Sequence, residues 1–126
     1  MFDVKIINNE AILFEDGIEL NLEPLRGKYD QIHYTFNDGS FVEIWSDNII
    51  TWFDSDHKRN RDDDMPAYIQ TNGYLSYYKH DNLHRECGPA IIDRKGYVEY
   101  WLDNIEYTKK EFINKLNSSY GFIYHV

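Results

Sequence analysis

One cysteine, three prolines and seven glycines are all that 126 residues contain of these types. The lone Cys87 excludes a disulfide framework. No apolar run approaches the roughly 20 residues that a membrane-spanning helix needs. Positive charge is also scarce: 13 Lys and Arg stand against 22 Asp and Glu, a formal net charge of -9. Such a balance repels phosphates and anionic lipid, so neither direct nucleic-acid binding nor membrane binding is expected. A partner held by charge should be basic. The opening stretch Met1-Phe-Asp-Val-Lys-Ile-Ile-Asn-Asn has acid and amides where a signal peptide needs an apolar segment. The expected compartment is therefore the cytoplasm.

Aromatic side chains are abundant, at 17% with eleven tyrosines. They fit a pleated surface and favour strands over helices. The length suits a single domain, 1–126, with a modest core. Four glycines, Gly17, Gly39, Gly73 and Gly96, each follow a short apolar run and precede an aromatic-rich one. Their steps of 22, 34 and 23 residues suggest a repeat array. Asp16-Gly17, Asp38-Gly39 and Asn72-Gly73 predict two-residue hairpin turns with positive φ, and Lys95-Gly96 is a weaker version. Beyond the turns, Phe41, Glu43 and Trp45 alternate with Val42 and Ile44. Tyr97, Glu99 and Trp101 alternate in the same way with Val98 and Tyr100. Asp47-Asn48, Asp81-Asn82 and Asp103-Asn104 predict the reverse turns of a meander.

The expected fold is thus mainly β: an antiparallel meander of about four hairpins with a short C-terminal capping helix. Repeats are expected near 9–24, 30–52, 61–82 and 83–107. Residues 54–64 are strongly charged and lack any apolar residue before Met65, which predicts a solvated, mobile loop. Thr108-Lys-Lys-Glu111 is a capping-box pattern followed by Phe112, Ile113 and Leu116 at helical spacing, so a helix is expected over 108–117. Ser118-Ser119-Tyr-Gly121 should end it, with a last strand over 122–126.

Leu83-His84-Arg85-Glu86-Cys87-Gly88-Pro89-Ala90-Ile91-Ile92, with Gly96 and Trp101 beyond, resembles the His-Arg-x-x-Gly-Pro-Ala units of MORN-like repeat proteins from phages, large DNA viruses and bacteria. The preceding stretch keeps Pro66-Ala67 at an offset of 23, with Arg61-Asp62 where His-Arg would stand and Met65 in place of Gly88. The resemblance covers residues 61–107. It implies twisted hairpin repeats that serve as scaffolds and interaction surfaces. His84, Arg85, Gly88 and Pro89 then read as structural, together with the four turn glycines: proline lacks a donor and belongs where a strand begins.

Candidate chemistry is sparse. Asp54, Asp56, His57, Asp62, Asp63 and Asp64 crowd one loop, but that loop has no glycine and no calcium-loop spacing. Lys58, Arg59 and Arg61 offset its acids, so no metal is expected. Cys87 lies three residues from His84 without any sign of an oxyanion hole. No phosphate loop, zinc motif or hydrolase elbow is present, and neither an enzyme nor a cofactor is expected. The preferred expectation is a protein-binding surface built from Glu43, Trp45, Asp62, Asp63, Asp64, Tyr78, Glu99 and Trp101, because Tyr and Trp dominate interfaces. Its target would be the basic surface of a host protein, in particular a nucleic-acid-acting defence complex. An anti-CRISPR or related phage or viral inhibitor working in the host cytoplasm is one such protein. The alternative is a module that sequesters a nucleotide-like molecule on Tyr74, Tyr77, Tyr78, Tyr97, Tyr100 and Trp101. An open edge strand also admits a homodimer.

Overall fold

Seven apolar residues lie side by side across seven strands, buried over the first four and rising to 44% exposure at Val98. The row runs Ile32, Ile44, Ile50, Ile69, Leu75, Ile92, Val98, each residue opposite the next in antiparallel register. Neighbours so aligned have Cβ atoms about 5 Å apart and shield one another from water. The computed structural model describes residues 2–8, 10–21, 31–45 and 48–120. In it the row belongs to an eight-stranded sheet of β4 (Ile32–Thr35), β5 (Phe41–Ile44), β6 (Ile49–Phe53), β7 (Tyr68–Gln70), β8 (Leu75–Ser76), β11 (Ile91–Ile92), β12 (Val98–Leu102) and β13 (Ile105–Tyr107), in that spatial order. Between β8 and β11 the chain makes an excursion through a small hairpin, β9 (Tyr78–Lys79) and β10 (Asn82–Leu83). The antiparallel meander with a C-terminal helix is therefore the observed architecture.

Both ends of the covered face are closed. At the first end a three-stranded sheet, β1 (Phe2–Ile7), β2 (Glu10–Glu15) and β3 (Ile18–Glu19), adds Leu13, Val4 and Leu20 to a core of Ile32, Val42, Ile44, Ile50, Trp52, Ala67 and Ile69. At the other end helix α1 (Lys109–Lys115) sets Phe112, with Leu116 beyond it, against Leu102, Tyr100 and Tyr107. Each fully buried Leu or Ile contributes about 1.5–3 kcal/mol. Thr108 accepts a hydrogen bond from the Glu111 amide, and the Glu111 carboxylate accepts one from the Thr108 amide, so the expected capping box is present. The helical run continues as a π-turn through Leu116–Tyr120. The strand expected over 122–126, and residues 9 and 22–24 of the repeat expected near 9–24, lie outside the described residues.

The turns correct the sequence reading in an informative way. Asp16-Gly17 is the expected two-residue turn, with φ of 51° and 82°. Asp38-Gly39 and Asn72-Gly73 are not. Each belongs to a three-residue loop in which only the glycine has positive φ, closed by Gly39 N–H to Phe36 O and Gly73 N–H to Gln70 O, both 3.0 Å. Gly96 repeats this with its amide to Asp93 O, while Asp93 Oδ1 accepts from Lys95 and Tyr97. Asn48 does the same without a glycine: its φ is 63°, its amide bonds Trp45 O, and Trp45 N–H bonds Ile49 O. The equivalent left-handed positions are therefore Asn48, Gly73 and Gly96, 25 and 23 residues apart. The 34-residue step from Gly39 to Gly73 is a mismatch of register, because Gly39 turns the opposite edge of the sheet. On that edge His80-Asp81, rather than Asp81-Asn82, makes a two-residue turn, as does Asp103-Asn104.

The charged segment 54–64 is not a free loop. Asp54 to Lys58 form another three-residue hairpin loop, with His57 in the left-handed position. Arg59 pairs with Phe53 and Asn60 N–H bonds Trp52 O. Asp54 Oδ1 accepts from Asp56 and Lys58, the same Asx bonding that Asp93 gives the Gly96 loop.

Candidate functional site

Two copies of one joint build the lower edge of the covered face. In the first, Trp52 bonds both Ala67 and Asn60, and the Arg61 guanidinium lies 3.6 Å from the centre of the Trp52 ring. In the second, Tyr77 bonds both Ala90 and His84, and Arg85 lies 4.0 Å over Tyr77. Arg61 Nη1 donates to Pro66 O and Arg85 Nη1 to Pro89 O, each at 3.2 Å. Arg61, not the Arg61-Asp62 pair, is thus the counterpart of Arg85. One extra residue between Arg61 and Pro66 hides the match. Burial pulls the Arg61 pKa down to about 10. Burial also works against the Arg85 charge, but bonds from Asp64 outweigh it and raise its pKa. Asp64 holds Arg85 through two bonds of 2.8 and 3.1 Å and so ties one repeat to the next.

His84 clamps the same joint. Its Nδ1 accepts the Asp103 amide at 2.9 Å, and Nε2 lies 3.2 Å from Glu86. Accepting at Nδ1 requires the neutral tautomer with its proton on Nε2. Asn60 Oδ1 makes the matching bond to His80 N–H in the previous repeat. Both ring nitrogens of His84 are occupied by structure, so it is no base for the exposed Cys87. Gly88 faces the Arg85 guanidinium, where an added Cβ would lie 3.1 Å from Nη1. The two excursion loops flank a cleft of about 290 Å³, lined by 60–65, 77–79 and 84–87. Its two guanidiniums, Arg61 and Arg85, already hold aromatic rings and carbonyls, and Arg85 also holds Asp64.

The open face of the sheet carries the remaining candidates. Glu43 and Glu99 lie in one row, with Thr51, Tyr68, Ser76 and Ile91 between them. His33 stands opposite Glu43, 3.6 Å from its carboxylate, and stacks on Phe41, which stacks in turn on Phe53. Trp45 is 39% exposed at the edge of the Gly73 and Gly96 turns, whereas Trp101 lies towards the Asp103-Asn104 edge. Trp101 Nε1 donates to Glu99 Oε1 at 3.0 Å, and Glu106 faces Trp101 across β12 and β13. A hydrogen bond and charge from Glu99 hold the Glu106 carboxyl above its ordinary pKa.

Structure therefore gathers Glu99 and Trp101, adds the unforeseen Glu106, and places Glu43 and Trp45 further along the same face. Asp62, Asp63 and Asp64 are elsewhere, in the loop beside Arg85. Tyr78 lies under the Arg59 guanidinium at 4.1 Å. Of the tyrosines expected to stack a nucleotide, Tyr74 and Tyr97 line one cleft and Tyr77 and Tyr78 another. Tyr77 is covered by Arg85, Tyr100 packs on Phe112, Tyr74 meets Tyr68 edge-on, and Tyr97 stands 72% exposed. Glu106 carried a signal in hindsight, since it pairs with Trp101 as soon as the Asp103-Asn104 turn is placed. No protein-family model matches the chain, nor does any curated protein or solved structure.

Proposed function

We propose that this protein is a non-enzymatic interaction module whose open sheet face binds the basic surface of another protein. The observation that carries this reading is the grouping of Glu99, Glu106 and the Trp101 indole on exposed strands of a chain with a net charge of -9. Two adjacent carboxylates beside an aromatic face suit an arginine or lysine, which gains ion pairs and a cation–π contact together. The spacing of the turns and the duplicated Arg–Pro joint support a MORN-like scaffold, in which repeated geometry presents an open face. Proteins that handle nucleic acid offer basic grooves of the required sign, and inhibition of a nucleic-acid-acting defence complex is the use that fits such an acidic cover.

The test is capture of partners from host lysate on immobilised protein at low and high salt. Basic proteins should elute as salt rises, because charge steering is screened. Glu99→Lys with Glu106→Lys should abolish their capture. Retention that ignores both salt and charge reversal would sink the reading. Thermal stabilisation by a nucleotide would favour the sequestering alternative instead.

A further inference from the structure

We propose that Asp54, Asp56 and His80 bind a divalent first-row transition ion of the Zn2+ type. Their ligand atoms all lie within 4.8 Å of one another, although His80 is 26 and 24 residues away from the two acids. Asp54 Oδ2 is buried from solvent and lies 2.6 Å from His80 Nδ1, an ion-pair contact between successive repeats. A carboxylate oxygen and an imidazole nitrogen at that separation are joined either by a proton on the ring or by a cation that both ligate. With Asp56 as a third donor within 4.8 Å, the three groups offer such a cation a set of ligands.

The surrounding bonds orient the ligands as outer-shell bonds do in metal centres. Asp54 Oδ1 is held by the Asp56 and Lys58 amides, which turns Oδ2 towards His80. The His80 amide is anchored on Asn60. The neighbouring Arg59 is already bound to Asp81, 3.0 Å away, and lies over Tyr78, so it does not take the place of a cation beside Asp54. One imidazole and two carboxylates form a borderline donor set suited to Zn2+, Mn2+ or Fe2+, and three protein ligands leave a coordination position open. The acids sit on the hairpin after β6 and the histidine on the turn after β9. A bound ion would therefore staple two successive repeats, and the open position would be available to an outside donor. This inference is independent of the open-face reading.

Calorimetric titration of the EDTA-treated full chain with ZnCl2 at neutral pH tests it. One ion per chain is expected. His80→Ala and Asp56→Asn should each weaken binding at least tenfold, and His57→Asn, on the same hairpin, should leave it unchanged. His80 is exposed, so its variant is expected to keep the native circular dichroism spectrum. Co2+ should give a visible absorption band that His80→Ala removes. The proposal is overturned by absence of saturable binding below about 100 µM. It is equally overturned by binding that His80→Ala does not alter, or by a His80 ring that responds to pH and not to Zn2+, which would mark a simple ion pair with Asp54.

Discussion

Arg61 and Arg85 occupy the same place one repeat apart: each guanidinium covers an aromatic ring and donates Nη1 to a proline carbonyl at 3.2 Å. The strand-entry prolines leave carbonyls with no backbone donor beside them, and arginine fills that role while shielding the ring from water. Arg61→Ala should lower stability by about 2 kcal/mol, from a lost cation–π contact and an unsatisfied carbonyl. Arg61→Lys should recover only part, since an ammonium has no planar face to lay on Trp52. Chemical denaturation measures both.

The link between Asp64 and Arg85 should show as coupling. A double-mutant cycle with Asp64→Asn and Arg85→Lys is expected to give roughly 1 kcal/mol, tempered by partial exposure of the pair. Additive single effects would mean that Asp64 does not tie the repeats.

Asn48 and Gly96 test the corrected register. Gly96→Ala should cost about 1–2 kcal/mol from the left-handed backbone alone, because an added Cβ there meets nothing within 4 Å. Asn48→Gly should be neutral or slightly stabilising, as glycine adopts the same φ without strain. Thermal melts of the two variants should move in opposite directions or leave Asn48→Gly at the wild-type value.

Thr108 and Glu111 set a pH dependence. Bonds from the Thr108 amide and hydroxyl hold the Glu111 carboxyl below its ordinary pKa. A depressed folded pKa means stability that is present above the unfolded value, near 4.5, and lost as pH falls through the folded one. Thr108→Ala should cost about 1 kcal/mol at neutral pH. NMR titration should show Glu111 returning towards its ordinary range in that variant.

Glu106 runs the other way. Its raised pKa makes the protonated form the better fit beside Glu99, so its contribution is present below the unfolded value and lost as pH rises through the folded one. Glu106→Gln should remove that loss as pH rises above the ordinary carboxyl value near 4.5, measurable by chemical denaturation across the pH range.

Fold class was legible because alternation is local. Val42 and Ile44 against Glu43 and Trp45, or Tyr100 and Leu102 against Glu99 and Trp101, assign faces without knowledge of any partner strand. The capping box was legible for the same reason, since its two bonds span three residues. The repeat register was not. Asn48 and His57 make the bends that glycine makes elsewhere, so a search for glycines counts Gly39 in the wrong series and overlooks the hairpin inside 54–64. An Asx bond and a positive φ replace a residue type, and only backbone geometry reveals the exchange.

The site divides in the same way. Composition alone determined that this protein is acidic, aromatic and without a disulfide framework, because those are sums over residues. Which acids act together is a property of distance. Asp64 is taken by Arg85, 21 residues on; Glu99 is joined by Glu106; Asp54 and Asp56 are met by His80 from the next repeat. Coulomb and coordination energies decay over a few ångströms, and a meander sets those distances by its turns and register. Charge was written in the sequence; its grouping into partners, clamps and ligands was decided by the sheet.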